Sequence, residues 1–318
     1  MDTTLRPMNT AEILDRTFSL YRNRFLLFAG IAMLPPALLL VAQMAQTALT
    51  AGALEPRSGR GATFLTPVAV IVALGTMLVG FIAYFVGLAV AHAATVFAVS
   101  AVHLGRETTI RECYSRVKGK YGQVFNVVFS VALRVFGSAF ILVLAAIAIP
   151  MTLMKRGNPA AAIVAGIVFL LAFVGALVLV FVLYARYALA VPACVLENLK
   201  ARDAIKRSVA LTAGSRGRII LVMILVAIIT VAVMGVLVFP ATLLPLIFKT
   251  APIMMVLSLQ HLASFIAGTL TGAITTIALS LIYYDQRVRK EAFDIQLMMA
   301  SLDEAPPLQP SAAVANLG

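Results

Sequence analysis

"VAVIVALGTMLVGFIAYFVGLAVAHAATVFAVSAVHL", residues 68–104, holds no Lys, Arg, Asp or Glu across 37 residues. As one helix, at about 1.5 Å per residue, it would reach about 55 Å, against a bilayer hydrocarbon core of about 30 Å. It is therefore either two membrane helices or one helix that projects well past the bilayer. No Pro, Asn or Asp turn interrupts it, so one long helix is expected. The choice decides how many spans the chain has and which loops share a side.

Apolar runs recur on both sides of this stretch. The first span is expected over about residues 25–46, interrupted by Pro35 and Pro36. The third covers about 124–154 and ends near Pro150. A "KRGNP" turn leads to the fourth, about 160–183, which continues through "YARYALAVPACVLEN". The fifth is about 219–239, followed by "PATLLPLIFKTAP", which reads as an interfacial or re-entrant turn. The sixth is about 253–284. Hydrophobic residues make up 62% of the chain and charged residues 12%, whereas soluble domains have roughly 45–50% and about 25%. The expected fold is an all-α polytopic membrane bundle of six transmembrane helices. A β-barrel would show segments of alternating polarity, and none occur. The N-terminus lacks the short apolar core and cleavage site of a signal peptide. Residues 1–302 read as one integral membrane domain, closing in a cytoplasmic helix over 285–302. Residues 303–318, rich in Pro and Ala, read as a disordered tail.

The net charge is +12. These charges sit in short loops beside apolar spans, where they set topology and favour anionic headgroups, so nucleic acid is not an expected partner. Eighteen of the 25 Lys and Arg lie in the N-terminal segment, the loop after the second span, residues 200–218 and the segment after the sixth span. Five lie on the other side, and Arg134 and Arg186 lie in or at the edge of spans. By the positive-inside rule both termini are cytoplasmic. Splitting residues 68–104 into two spans would break this alternation.

The charged segments repeat. "TAEILDRTFSLYRNRF", "TIRECYSRVKGKYG" and "ARDAIKRSVALTAGSRGR" each precede an odd-numbered span. Each has an acid four residues before an arginine: Glu12 and Arg16, Glu112 and Arg116, Asp203 and Arg207. That spacing places each pair on one helix face in the favourable order. The opposite stripe is apolar or small at helical spacing: Ile13, Leu14, Thr17, Phe18 and Tyr21; Ile110, Cys113, Tyr114, Val117 and Tyr121; Ala201, Ala204, Ile205, Ser208 and Val209. Thr108 and Asn198 fit as N-caps and Gly214 as a stop. The chain thus reads as three repeats, about 9–104, 108–197 and 199–284, each a cytoplasmic amphipathic helix followed by two spans. Two readings of the stripes stay open. They dip among lipid headgroups beside anionic lipid, or they pack on cytoplasmic extensions of the second and fourth spans. A membrane or cytoplasmic protein partner is a further expectation for these surfaces.

Catalytic and metal chemistry finds little footing. His92, His103 and His261 are far apart, and Cys113 and Cys194 belong to no CxxC or Cys/His cluster, so neither metal nor cofactor is expected. No GxSxG, P-loop or GxGxxG occurs. No Asp or Glu lies inside an apolar span, which counts against an ion-coupled transporter. Arg134 is the sharpest intramembrane feature. It lies about 15 Å deep if its span starts at residue 124, or about 9 Å, within snorkelling reach, if at 128. Asn126 shares its face. Together they mark a polar pathway if the protein is a transporter or lipid translocator. His92 reads as a packing residue, and Arg186 and Glu197 as a structural salt link.

Four stretches, "LRPMNTAEILDRTFSLYR", "RYALAVPACVLEN", "AIKRSVALTAG" and "LIYYDQRVRKEAFDIQ", resemble the bacterial membrane domain named for glycerophosphoryl diester phosphodiesterases. The resemblance covers about residues 5–302 and implies a six-span protein of the bacterial inner membrane. In some relatives a soluble phosphodiesterase barrel follows this domain. Here too few residues follow the sixth span for that barrel, and its His-Arg catalytic start is missing: His92, His103 and His261 are followed by Ala, Leu and Leu. No catalytic residue carries over. The expected function is that of a non-enzymatic membrane scaffold or accessory protein.

Overall fold

The computed structural model describes residues 7–54, 67–154, 159–248 and 252–292. The described residues form eleven α-helices and no strand. They are α1 (Thr10–Asn23), α2 (Phe25–Ala32), α3 (Leu34–Leu54), α4 (Pro67–His103), α5 (Ile110–Val117) and α6 (Tyr121–Met154). The remainder are α7 (Pro159–Tyr187), α8 (Ala190–Leu196), α9 (Ala201–Thr212), α10 (Arg216–Ile247) and α11 (Ile253–Glu291). The decisive uncharged run is one unbroken helix, α4.

Five helical segments are long and apolar enough to cross a membrane: Val70–His103, Tyr121–Ala148, Ile163–Leu196, Arg216–Leu244 and Ile253–Glu291. The first expected span is broken, with α2 and α3 meeting at a bend of 42°. The bend falls at Met33, just before the proline pair. Pro35 and Pro36 sit in the first turn of α3, where a missing N–H leaves no hydrogen bond unmade.

Several expected boundaries move. α10 runs through Pro240 to Ile247, so no turn begins at "PATLLPLIF"; a proline removes one backbone bond, and the flanking apolar residues keep the helix going. α11 likewise runs past Tyr284 to Glu291, so residues 285–291 end the last long helix and start no separate one. The remainder of the expected C-terminal helix and the tail lie outside the described residues. Thr109, not Thr108, caps α5 by accepting the Glu112 N–H at 3.3 Å. Lys200 precedes α9 without a side-chain cap, and Asn198 instead takes a left-handed turn at φ 54°. Gly214, at φ 79°, follows α9 as expected, in a conformation that a Cβ would strain. At α1, Asn9 and Glu12 close a reciprocal capping box at 2.7 and 2.8 Å.

Burial divides the long helices into two zones. Toward one end they are apolar yet exposed: Ile71, Leu74 and Met77 on α4, Ile163 and Leu170 on α7, Val231 and Val236 on α10. Toward the other end, where the charged segments lie, the same helices are buried: Ala93 to Val96, Ala98 and Val99 on α4, Ala188 on α7, Val222 on α10 and residues 276–286 on α11. α1, α5, α8 and α9 pack into this second zone. α11 is the central post and touches α1, α2, α3, α4, α8, α9 and α10. Three helix pairs, α3 with α4, α6 with α7 and α10 with α11, make the closest hairpin contacts.

Small residues set the α3–α4 spacing. A methyl on Gly80 would lie 2.6 Å from the Cβ of Ala42, an atom that cannot swing away. Gly80→Ala should therefore part the two helices and cost about 1–3 kcal/mol. Gly166→Ala, which meets open space, should instead stabilise by about 0.5–1 kcal/mol through helix propensity. Unfolding titrations of the two variants in detergent check the contrast.

Candidate functional site

The apolar stripes of the short helices face the protein. α1 buries Ile13 and Thr17, α5 buries Cys113 and Val117, and α9 buries Ala204, Ile205, Ser208, Leu211 and Thr212. α5 packs on α4 and α9 on α7 and α8, the helices of the second and fourth expected spans, whereas α1 packs on α11, α2 and α10. The helices turn their charges outward or into a linked polar network.

The centre of that network is Asp285, whose side chain is fully buried. Its carboxylate accepts the Met8 N–H at 2.8 Å, Arg218 Nη1 at 2.8 Å and Arg289 Nε at 3.0 Å. The Met8 carbonyl accepts from Arg289 Nη2 at 2.6 Å and from Arg218 Nη2. One carboxylate thus clasps the N-terminal segment to α10 and α11. Gln286 adds a link by accepting the Ser215 hydroxyl at 2.9 Å.

A second cluster lies alongside. Glu197 accepts Arg207 Nε at 2.9 Å and the Tyr283 hydroxyl at 2.5 Å. Arg207 also meets Glu291 at 2.6 Å, and Arg287 holds the same Glu291 at 3.2 Å. The Glu291 carboxylate, then Glu197, raises the Arg207 pKa above its ordinary value despite burial. The expected Asp203–Arg207 pair gives way to these contacts because α8 and α11 bring partly buried carboxylates to Arg207, while Asp203 stays exposed. Of the repeat pairs, Glu112–Arg116 forms as expected, at 3.0 Å on the surface. Glu12 closes its helix cap.

Arg186 and Glu197 do not pair. The Arg186 guanidinium lies 5.7 Å from the Tyr187 ring, and its Nε is buried without a hydrogen bond. Its carbonyl accepts from Ser208 at 3.0 Å and Thr212 at 3.2 Å, and Ser208 Oγ accepts the Leu189 N–H at 3.2 Å. α9 thereby satisfies the backbone at the α7–α8 break. Lys290 donates to the carbonyls of Ala210 and Ala213 and so caps the end of α9.

His92 lines an apolar cavity of about 230 Å³ among α4, α6, α7, α8 and α11. Arg134 and Asn126 do not reach it. They lie on the opposite, exposed face of α6, in a polar row with Ser130 and Ser138. Arg134 Nη1 donates to the Ser130 carbonyl at 2.9 Å, and Ser130 Oγ donates to Asn126 Oδ1 at 3.3 Å. The 20 residues from 135 to 154 carry no charge, enough to span about 30 Å. Arg134 stands about midway along the segment Tyr121–Ala148, which is long and apolar enough to cross a membrane.

Asp285, Tyr283 and Glu291 escaped sequence reasoning. Their one signal was the dense run "YYDQRVRKE" directly after an apolar span. His103 is buried 5.2 Å from the Tyr284 ring, with both ring nitrogens unbonded. No group of three or more His, Cys, Asp or Glu side chains among the described residues is arranged to hold a metal ion.

Cys113 is 1% exposed, and burial raises its thiol pKa. Little thiolate is available in the folded protein, and reagent access is blocked. N-ethylmaleimide at pH 7.5 should label Cys113 at least tenfold faster after unfolding than before. Mass-spectrometric counting of adducts checks this and supplies a folding assay.

No curated protein and no solved structure matches the chain. One family model does, over residues 19–286, and the chain belongs to that family, described as a domain of unknown function (DUF7847).

Proposed function

We propose that this chain is a non-enzymatic membrane scaffold or accessory protein that engages anionic lipid through the cationic face of its charged end. The observation that carries the proposal is the sidedness of the short helices. Their apolar residues turn inward, while Arg22, Arg111, Lys118, Lys200, Arg202 and Lys206 stay exposed. Each Lys or Arg near an anionic surface contributes about 1 kcal/mol of attraction.

The same reading has six spans in three repeats, with both termini on the cytoplasmic face of the inner membrane. The bent α2–α3 pair supports six spans, because it passes the length and apolarity test as a unit. The order of a short amphipathic helix and then a hairpin, met at α1, α5 and α9, supports the repeat. Kinship with the glycerophosphoryl diester phosphodiesterase membrane domain draws support from where its four stretches fall. They supply Met8, Asp285 and Arg289 to one polar cluster and Glu197 and Arg207 to the other. The carboxylates Glu197, Asp285 and Glu291 are each tied to arginine, a structural use that fits a non-enzymatic role.

Transport or lipid translocation along Arg134 draws less support, because Arg134 and Asn126 face away from the cavity. The test is a thermal titration of the full chain in detergent with phosphatidylglycerol or phosphatidylcholine. Phosphatidylglycerol should raise the unfolding midpoint more. The combined change Lys118→Gln, Lys200→Gln, Arg202→Gln and Lys206→Gln should erase the difference. Equal shifts with both lipids in the unmodified chain would sink the lipid version and leave an acidic protein partner as the occupant.

A further inference from the structure

The cavity lies where the long helices change from exposed to buried. On α4 its wall runs from Phe85 to His92, spanning the step from exposed Val86 to buried Ala89. On α7 and α8 the wall is Tyr184 to Pro192, and on α11 it is Thr275 to Leu279. No Lys, Arg, Asp or Glu lines it. Phe136 both lines the cavity and is 60% exposed, so the wall is continuous with the apolar outer surface.

We propose that this cavity is an acyl-chain site for a bilayer phospholipid. Its helices pass the length and apolarity test for crossing a membrane, so lipid tails are the apolar molecules at its mouth. At about 230 Å³ it exceeds the ~150 Å³ apolar cavity that stays dry and takes up benzene. It is too small for a folded peptide segment and too apolar to hold a water cluster, since each water needs two to four polar partners. The few polar side chains among the lining residues, His92, Tyr184, Tyr187, Thr275 and Thr276, suit the ester oxygens at the head of a chain. That arrangement, an apolar body with a few placed donors, is typical of small-molecule sites. The inference goes beyond the anionic-lipid reading, because a chain site is indifferent to headgroup charge.

The test uses the full chain in phosphatidylcholine vesicles carrying a small fraction of phosphatidylcholine with a diazirine on one chain. After photolysis, mass spectrometry maps the adducts. Adducts on residues 85–92 and 184–192 should exceed those on the outward positions Ile163 and Leu170 by at least threefold. Ala132→Phe, which fills the cavity, should lower the cavity adducts at least fivefold and leave the outward adducts unchanged. Val131→Met is the milder second filling. Protection of Cys113 from maleimide certifies that each variant is folded. Cavity adducts no more frequent than outward ones, or unchanged in a folded filled variant, would overturn the proposal. Because the probe is neutral, either result leaves the anionic-lipid reading to its own titration.

Discussion

Asp285→Asn is expected to destabilise the folded protein by about 3–5 kcal/mol, the range seen when one partner of a buried ion pair is removed. The carboxylate is fully buried and takes Arg218, Arg289 and the Met8 N–H at once. An amide in its place has one acceptor oxygen and turns an N–H₂ toward two guanidinium groups. Arg218 is 22% exposed and Arg289 40%, so water screens them only in part. The N-terminal segment should loosen first, since Met8 is bound through both its N–H and its carbonyl. Denaturant titration in detergent, read by maleimide labelling of Cys113, measures the effect. In a cycle with Arg218→Gln, the double variant should cost clearly less than the two single changes together. A loss below about 1 kcal/mol for Asp285→Asn, the size of an ordinary neutral hydrogen bond, would show that the clasp does not hold the charged end together.

Glu197→Gln carries the second large effect, about 2–4 kcal/mol, because it weakens a charge-assisted pair and a short tyrosine hydrogen bond together. Arg207 keeps Glu291, so the loss should fall below that of Asp285→Asn. The informative partner is Asp203→Asn. Helical spacing alone pairs Asp203 with Arg207, yet Asp203 is exposed and Arg207 turns to Glu197 and Glu291. Asp203→Asn should leave the unfolding midpoint unchanged within error, as exposed ion pairs contribute little. If Asp203→Asn proved the costlier change, the local pairing would be the real one and the assignment of Arg207 to the core would fail.

The Asp203 case shows how far helical spacing reaches. An i, i+4 pattern predicts that two side chains can meet, not that nothing better competes. The competitors here are 10 and 84 residues from Arg207, and nothing in the local pattern points to them. Arg134 and Asn126 show the same limit. Their shared face followed from the helical period and is observed. Whether that face lines an interior or meets the outside depends on how α6 packs, and the face that lines the cavity is the one with Val128, Ala132 and Val135. The short helices were ambiguous for a related reason. An amphipathic stripe matches a lipid surface and a protein core equally well, since both offer apolar contact.

The sequence by itself determined the helical class, the long uncharged fourth helix, the place of the proline break and the gathering of charge at one end. These follow from composition, from the reach of a helix per residue and from proline's missing N–H, all local properties. The tertiary structure alone decided which charges are buried and paired, that the short helices turn inward, and that a cavity opens beside His92. Those outcomes depend on residues far apart in the chain meeting on the central post, α11, where burial in a low-dielectric core, absent from any single segment, sets the strength of each contact.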